Sequence, residues 1–525
     1  MSKFNTSTNV TAKKSPIKST GEKTATALGG VGSVRDARSE LVLMAVSFMG
    51  GDNLFHESSS DRYNRLLGLI HANPEVFTDE VWAFGLVNWV RNTAYMRTVA
   101  AVMAVEIVRA RLSHELYGSN REIIDVACSR ADEPGEILAY FTSKYGKPIP
   151  QPIKNGVADA VKRLYTERGF LRYGASGNKA WTMKDVLRIT RPTPKNDLQS
   201  DLFNYITNGT LPAVEGDLRK IVARNTLFAL PQDERDIETY SDIFRDAEMS
   251  WEVISSWLGQ MDKAAWEAVI PNMGVMALLR NLRNFDKVGI SQGMRNLVKS
   301  KIQDPEEIAK ARLLPMRFFS AFRNAPSMEW HWPIQVGMDH SLANVPELPG
   351  RTLALIDMSG SMFGSRLSDK SDLMLSDAAA IFGAALKVKN NETLSLVQYG
   401  TSYERVGAPK GTSVLDVMRE FHGMGGTNTA RVLADIWDKS GGSYDRVIIV
   451  TDEQAGYSGY GQVGDCLPNN VPMYTWNLAG YRAGHADSGL GNNHTMGGFS
   501  DSAFSMIPII ESLGNAKWPW ENNNE

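Results

Sequence analysis

Apolar residues recur at intervals of three and four positions through most of residues 35 to 325, which is the spacing of amphipathic helices. The helical period is clearest over Leu41–Phe48, Val81–Val90, Val99–Val108, Ile153–Leu164, Leu218–Leu227, Trp251–Leu258, Val275–Leu282 and Arg312–Phe322. No repeat of fixed length is visible, so the pattern predicts an irregular, HEAT-like superhelix of helix pairs. Such stacks present large concave surfaces and bind partners more often than they catalyse reactions.

The pattern changes beyond a proline-punctuated stretch from Pro326 to Pro349. Short apolar runs then alternate with helical segments, which is typical of a doubly wound parallel sheet. The predicted strands are Arg351–Ile356, Thr393–Tyr399, Arg446–Val450 and Met473–Asn477, and the predicted helices are Val414–Phe421 and Ala430–Asp438. The expected fold class is therefore multidomain, with an all-α helical-repeat part followed by an α/β domain.

The last part of the chain carries a weaker pattern. Residues 484 to 500 are rich in glycine, histidine and asparagine, and we expect them to form an exposed loop followed by a closing helix over 502 to 513. His485 and His494 could suggest a metal site, but neither has partners at ligand spacing. We therefore interpret both as loop residues.

Three oxygen-bearing loops occur in the α/β part. Asp357, Ser359 and Ser361 directly follow the first predicted strand. Thr427 follows a Gly-Gly turn, and Asp452 follows the strand that ends near residue 450. Loops at the carboxyl ends of parallel strands converge at one edge of the sheet, where ligands bind. Carboxylate and hydroxyl oxygens with positions left for water suit Mg²⁺, so the sequence predicts a divalent-metal site.

With these loops, residues 350 to 525 resemble a von Willebrand factor A domain and its metal-ion-dependent adhesion site. The resemblance implies that the cation, Mg²⁺ by its oxygen ligands, is bound directly or through water by Asp357, Ser359, Ser361, Thr427 and Asp452. An Asp-x-Ser-x-Ser run by itself is also an ordinary turn or helix N-cap, which is the alternative interpretation.

The composition suggests where the protein resides and argues against secreted, disulfide-rich and membrane proteins. The 525 residues exceed one ordinary core, and the net charge of −3 argues against a uniformly basic surface while allowing a local basic patch. Cys128 and Cys466 are far apart, which suggests a reducing cytoplasm rather than a disulfide framework. There is no secretory signal and no apolar run of about eighteen residues. We expect a cytoplasmic protein without a membrane partner.

Residues 1 to 32 contain almost no large apolar side chains and are expected to form a flexible basic tail. Its charge comes from Lys13, Lys14, Lys18 and Lys23. Such a tail either touches RNA phosphates or is simply solvated.

Basic residues cluster twice in the helical part. Arg280 and Arg283 share a helix face, and Arg312 and Arg317 frame the start of another helix, where they can bind phosphates or pair with acids such as Asp286 or Glu306. The second cluster suits phosphate positioning with base stacking, or a solvated face over an aromatic core. It comprises Arg163, Arg168, Arg172, Lys179, Lys184, Arg188 and Arg191, with Tyr165, Tyr173 and Trp181 interleaved.

Three runs in the helical part resemble the TROVE module of Ro autoantigen proteins, and the A-domain follows them in the order of that family. The runs are Trp181–Arg188, Ala277–Arg283 and Lys310–Arg317. The resemblance, to a bacterial or phage-type member, places a TROVE-like ring at 33–345 and the A-domain at 346–525, after the tail expected at 1–32. Met183 stands where vertebrate members have histidine, which puts the details of Y RNA recognition in doubt.

Membership implies that the helices close into a ring, that single-stranded 3′ ends of misfolded RNA enter its central hole, and that Y-like small RNAs bind outside. It also implies a 3′-to-5′ exoribonuclease as partner and a monomer apart from RNA-mediated complexes. The candidate RNA-binding residues are Arg172, Lys179, Lys184, Arg188, Arg280, Asn281, Arg283, Arg312 and Arg317.

The sequence supports a non-catalytic RNA-binding protein most strongly. The alternative is a metal-dependent protein interaction scaffold without specific RNA binding, which needs only residues 350 to 525. A nuclease is disfavoured, because two-metal phosphoryl chemistry needs more carboxylates than two aspartates supply. No Ser-His-Asp set, Cys-His set or phosphate-binding glycine loop stands out either.

Overall fold

The computed structural model describes residues 16–47, 54, 56–174, 180–212, 218–311, 313, 315–343, 345–367, 372–489, 492–499, 507–508, 511 and 517–521. The helices are α1 Ala37–Ser47, α2 Ser59–Ala72, α3 Glu80–Asn92, α4 Arg97–Ser113, α5 Asn120–Val126, α6 Glu133–Tyr145, α7 Gln151–Leu164, α8 Glu167–Tyr173, α9 Met183–Thr190, α10 Asp197–Asn208, α11 Arg219–Ala229, α12 Ile237–Asp246, α13 Trp251–Leu258, α14 Lys263–Val269, α15 Val275–Val288, α16 Gln292–Gln303, α17 Pro305–Ala311, α18 Pro315–Arg323, α19 His331–His340, α20 Gly360–Gly364, α21 Leu375–Lys389, α22 Val414–Met418 and α23 Thr429–Lys439. The strands are β1 Ser19–Ala25, β2 Val31–Arg35, β3 Thr352–Asp357, β4 Leu394–Tyr399, β5 Tyr403–Val406, β6 Arg446–Thr451, β7 Met473–Asn477, β8 Ala483–Gly484 and β9 Asn493–Gly497.

The chain divides into two compact units. The first comprises Met1–Val76, Arg312–Arg323 and Ile334–Glu525, and the second comprises Phe77–Ala311 and Asn324–Pro333. No boundary of this division falls at the predicted residue 345, because α1, α2 and α18 group with the α/β sheet instead of with the other helices. Helical periodicity identifies a helix but does not say which core its apolar face joins.

The second unit consists of helices whose apolar faces follow the predicted period. In α3, Trp82, Leu86 and Val90 are buried, and the Asp79 side chain caps the helix by accepting a hydrogen bond from the Trp82 main-chain N–H at 3.0 Å. No described helix in either unit has the length and apolar character needed to cross a bilayer.

Helix α15 shows how the period sorts apolar from charged side chains. Leu278, Leu282 and Phe285 recur at three- and four-residue spacing and are buried. The Phe285 ring packs edge-on against Trp266, with ring centroids 5.2 Å apart. The intervening basic positions consequently face away from this core.

The first unit contains a six-stranded sheet in the order β5-β4-β3-β6-β7-β9, parallel except for β5. Every residue of β3, β6 and β7 is buried, as expected for parallel strands covered on both faces. Helix α21, which the hydrophobic pattern did not reveal, packs against β3 and β4, and its Phe382 stacks on Trp476 of β7 at 4.2 Å. The predicted doubly wound domain is confirmed.

The prediction of a flexible tail over residues 1 to 32 is wrong for residues 19 to 32. Strands β1 and β2 form an antiparallel hairpin, and β2 pairs with β8. We call residues 19–35 the amino-terminal hairpin. Polar contacts hold it, such as the ion pair between Lys23 and Asp487 at 2.5 Å, so its poverty in apolar residues did not reveal it. Residues 1 to 15 lie outside the described residues.

The prediction of an exposed loop over residues 484 to 500 is also wrong. Residues 493–497 form β9, and both histidines of this stretch are buried. His494 stacks on Tyr474 with ring centroids 5.2 Å apart, and His485 Nε2 lies 2.9 Å from Thr475 Oγ1. Parallel pairing with β7 buries a segment whose composition is that of a loop. The helix predicted over 502–513 falls mostly outside the described residues.

Replacing His494 with Phe should make the protein less sensitive to acid. Burial lowers the pKa of His494 from 6.5 to about 4. A histidine whose pKa is lowered on folding is destabilising once the unfolded chain takes up a proton, so stability is complete above about pH 6.5 and declines toward pH 4. The loss reaches about 3 kcal/mol at the acid end.

Urea unfolding at pH 7 and pH 4.5 tests this expectation for His494→Phe. The fall in the free energy of unfolding between the two pH values should be smaller in the variant than in the wild type. The matched control is His71→Phe, which removes an imidazole from the exposed side of α2. An equal fall in His494→Phe and wild type would show that His494 is protonated equally in the folded and unfolded chain.

Candidate functional site

Two aspartates emerge side by side at the carboxyl ends of β3 and β6. These strands pair in parallel from Thr352 with Arg446 to Ile356 with Val450. Asp357 ends β3, and Asp452 comes one residue after the end of β6. Both side chains are completely buried. The strand register therefore brings together the two carboxylates that the sequence predicted.

The Thr427 loop is held against both strand ends by main-chain hydrogen bonds. Gly360 N donates to Gly425 O at 2.8 Å, and Gly456 N donates to Thr427 O at 2.7 Å. Gly425 has a φ of +83°, and a Cβ there would lie 2.8 Å from Thr401 Oγ1. The turn thus requires glycine, and it delivers Thr427 to the loops that carry the two aspartates.

The side chains of Asp357, Ser359 and Ser361 form a polar cluster, and the charge of Asp452 acts on Asp357. Asp357 accepts hydrogen bonds from Ser359 N at 2.9 Å and from Thr451 Oγ1 at 2.6 Å. The hydroxyl oxygens of Ser359 and Ser361 are 3.3 Å apart, and all five ligand candidates are at most 4% exposed. The structure therefore brings four of the predicted ligands together at a buried position, and main-chain hydrogen bonds hold the Thr427 loop against the loops that carry them.

The electrostatics of the cluster fit a cation. Burial raises the pKa of Asp357, and the neighbouring charge of Asp452 raises it further. Burial likewise raises the pKa of Asp452. Asp452 Oδ1 accepts from Gln454 N at 3.0 Å, whereas Oδ2 is buried without a hydrogen-bond partner among the described residues. A hard divalent cation would compensate both charges and use that unpaired oxygen.

A buried ionic network behind Asp452 was not foreseen. Glu453 has a φ of +63°, pairs with Arg35 and accepts from Asn477 Nδ2, and His485 Nε2 lies 4.0 Å from it. Burial alone would raise the pKa of Glu453, but the charge of Arg35 and the remaining partners outweigh it and leave the pKa lowered. Arg35 lay in the region next to the expected tail, so no local sequence signal linked it to Glu453.

Within the described ranges, no group of three or more His, Cys, Asp or Glu side chains is arranged to hold a metal ion. The candidate centre instead combines two carboxylates with hydroxyls. That donor set can hold one oxygen-liganded cation and offer a free coordination position to a partner, but it lacks the carboxylate-rich arrangement of a two-metal nuclease.

Arg280 and Arg283 lie exposed on α15 of the second unit. Neither side chain has a hydrogen bond or ion pair with another described residue. The alternative pairing with Asp286 is not formed, because Asp286 binds Arg295 Nη1 at 2.8 Å and the indole of Trp330. Two unpaired guanidinium groups one helical turn apart can bind successive phosphates.

Asn281 differs from its two neighbours. It is 2% exposed and donates from Nδ2 to Ala277 O of the same helix at 2.9 Å. Its Oδ1 accepts from Asn284 at 2.8 Å. Its predicted RNA contact is untested, and its place in the helix favours a packing role.

The residues of the second basic cluster differ in their exposure. Arg188 is exposed on α9 and Lys184 is half-buried, and the guanidinium of the exposed Arg172 lies 5.5 Å from the Tyr173 ring centroid. Tyr165 is buried, so it belongs to the aromatic core and offers no surface for a base. Trp181 is half-buried, with its indole N–H donating to Thr142 Oγ1 at 3.1 Å.

The remaining members of the cluster, and the third run, are placed as follows. Arg163 pairs with Asp125 at 2.7 Å, and Arg168 lies 3.5 Å from Glu248. Arg317 is exposed on α18 in the first unit. Lys179 and Arg312 lie outside the described residues.

Comparison with known proteins adds two findings. Residues 246–330 match the family model of the TROVE domain. The structure is similar to the crystal structure of the Deinococcus radiodurans RO (RSR) protein, with a TM-score of 0.62 and 15% sequence identity over 91% of this chain and 99% of that chain. No curated protein matches the sequence significantly. The predicted fold class and the predicted resemblance to bacterial Ro proteins are confirmed.

Proposed function

From a TROVE segment set in the fold of a bacterial Ro protein, we propose that this chain is a non-catalytic RNA-binding protein of the Ro type. The observation that carries the proposal is α15. This helix lies inside the matched segment and exposes Arg280 and Arg283 without described partners. Guanidinium groups bind phosphates and carboxylates, and phosphate contacts from arginine are common in complexes with nucleic acids.

The RNA we propose is single-stranded at its 3′ end, as in misfolded transcripts, and enters the central hole that the family resemblance implies. Y-like small RNAs would bind the outer surface, where Lys184 and Arg188 are candidates. A 3′-to-5′ exoribonuclease would then act on the RNA that this chain presents. The chain itself supplies recognition and positioning, since the candidate metal centre has two carboxylates and no described carboxylate cluster beside it.

We further propose that the A-domain centre holds Mg²⁺ through Asp357, Ser359, Ser361, Thr427 and Asp452. The bound cation would supply positive charge and a free coordination position to a partner carboxylate. The buried oxygen of Asp452 without a described partner supports this assignment.

Fluorescence anisotropy with two RNAs tests the main proposal. One RNA is a hairpin with a single-stranded 3′ extension, and the other is the same hairpin with a blunt end. The extended RNA should bind more tightly, and its affinity should fall steeply as salt rises, because phosphate contacts release counterions. Equal or absent binding of the two RNAs would contradict the proposal.

The scaffold function is the second candidate, because all five proposed ligands belong to the first unit and none to the second. It is distinguished by a protein partner that is lost in Asp357→Ala while the affinity for the extended RNA is unchanged. The two functions are compatible, since an A-domain could hold a nuclease near the bound RNA.

A further inference from the structure

The amino-terminal hairpin touches the loop that carries Asp452. At the hairpin turn, Thr26 Oγ1 donates to Ala455 O at 2.5 Å, and Ala27 N donates to Gln454 Oε1 at 2.8 Å. Gly29 also pairs with Gly456 as an isolated β-bridge. These contacts fall on three consecutive residues of one loop.

The hairpin turn and the loop also pack closely against each other. A Cβ at Gly30 would lie 2.3 Å from Ala455 O, so the turn and the loop approach more closely than any side chain allows. At the other end of the hairpin, Arg35 pairs with Glu453, and both side chains are 1% exposed. The hairpin therefore contacts the main chain of Ala455 and Gly456, the side-chain amide of Gln454 and the buried carboxylate of Glu453.

Residues 453–456 form hydrogen bonds to two of the predicted ligands. Gln454 N, inside the segment, donates to Asp452 Oδ1, and Gly456 N, at its end, donates to Thr427 O. The same segment contains Glu453 with its φ of +63°, a conformation that non-glycine residues hold only when their surroundings enforce it. The order of this segment therefore sets the positions of Asp452 and Thr427 together.

We propose that the amino-terminal hairpin is a positioning element of the metal centre, which orders residues 452–456 and so places Asp452 and Thr427 for a divalent cation. The inference rests on the proposed metal site. In it, Thr26, Gly30 and Arg35 are positioning residues, since their contacts go to residues 453–455 and to no predicted ligand.

The test uses the full chain and Mn²⁺ as the probe, with free Mn²⁺ measured by electron paramagnetic resonance. Thr26→Val keeps the shape of the side chain but removes its hydrogen bond to Ala455, and should weaken Mn²⁺ affinity about threefold to tenfold. Gly30→Ala should push the turn from Ala455 and weaken affinity by about tenfold or more. Hydrogen exchange of the Glu453, Gln454 and Gly456 amides should accelerate in both variants.

Each variant has a matched control. Thr24→Val changes an exposed threonine of the same hairpin, and Gly68→Ala adds a methyl group that meets nothing within 4 Å on α2. Both controls should bind Mn²⁺ like the wild type. Urea unfolding of all four proteins identifies any variant that has lost global stability, and a metal effect in Thr26→Val at unchanged urea midpoint is the signature of positioning.

The results distinguish failure of the positioning role from failure of the metal site itself. If the wild type binds Mn²⁺ and both hairpin variants bind it equally well with unchanged exchange, the positioning role is overturned while the metal site stands. If the wild type does not bind Mn²⁺, the metal site itself is overturned, and the positioning role falls with it.

Discussion

Replacing Asp452 with Asn should abolish divalent-cation binding and, in the metal-free protein, increase the free energy of unfolding. The variant loses one of two buried carboxylates and with it a ligand charge, so Mn²⁺ affinity should fall by more than about a hundredfold. Without metal the same change relieves the repulsion from Asp452 that raises the pKa of Asp357.

The hydrogen-bond pattern favours this variant over others. The substituted asparagine would keep the carbonyl oxygen that accepts from Gln454 N, and the change falls on the oxygen that lacks a described partner. Mn²⁺ titration measures the loss of binding, and thermal unfolding in EDTA measures the gain in stability. Asp438→Asn, on the exposed side of α23, removes the same charge from the same domain and is the control. Wild-type Mn²⁺ affinity in Asp452→Asn would place the cation elsewhere.

The double variant Arg280→Ala, Arg283→Ala should weaken binding of the 3′-extended RNA by about tenfold to a hundredfold at moderate salt. Both guanidinium groups are exposed and have no described protein partner, so their removal breaks no described contact of α15. If each binds one phosphate, the slope of log affinity against log salt should decrease by about two.

Anisotropy over a salt series measures both quantities for this pair of substitutions. The control Arg351→Ala, Lys410→Ala removes the same charge from exposed positions in the α/β unit and should leave the slope unchanged. If the α15 variant keeps wild-type affinity and slope, the RNA path does not include α15. The exposed residues of α9 would then be the next candidates.

The sheet and the polar cluster at the carboxyl ends of its strands could be predicted because their signals are local. Strand β3 is a continuous apolar run that ends in an aspartate, and Thr427 follows a turn that only glycine can form. Parallel pairing then determines that the strand ends meet. The structure brings Asp357, Ser359, Ser361 and Asp452 together and holds the Thr427 loop beside them, while their role as metal ligands stays a prediction.

The hairpin and β9 were predicted wrongly because their own residues carry no pattern that indicates a buried strand. Asn281 does carry such a pattern. The amino-terminal hairpin is polar, and its partners are more than four hundred positions away in the sequence. Strand β9 contains Asn493 and His494 and becomes buried only through its pairing with β7. For Asn281 the signal was present, because it lies three residues after Leu278 and four before Phe285 on the buried face of α15. Asn281 was predicted to bind RNA because it lies in the run that resembles the TROVE module, whereas the helical period places it on the buried face.

The ion pair between Arg35 and Glu453 joins residues 418 positions apart in the sequence. The proposed metal centre can therefore form only after these distant parts of the chain have come together. Closing so long a loop costs conformational entropy before any contact forms, and contacts of large sequence separation form slowly. A nascent chain would therefore present the β1–β2 hairpin without β8 and residues 453–456 while the helices of the second unit are already complete. Residues 452–456 would reach their final conformation only in the last folding step, so the ability to bind a cation would report that the whole first unit has closed.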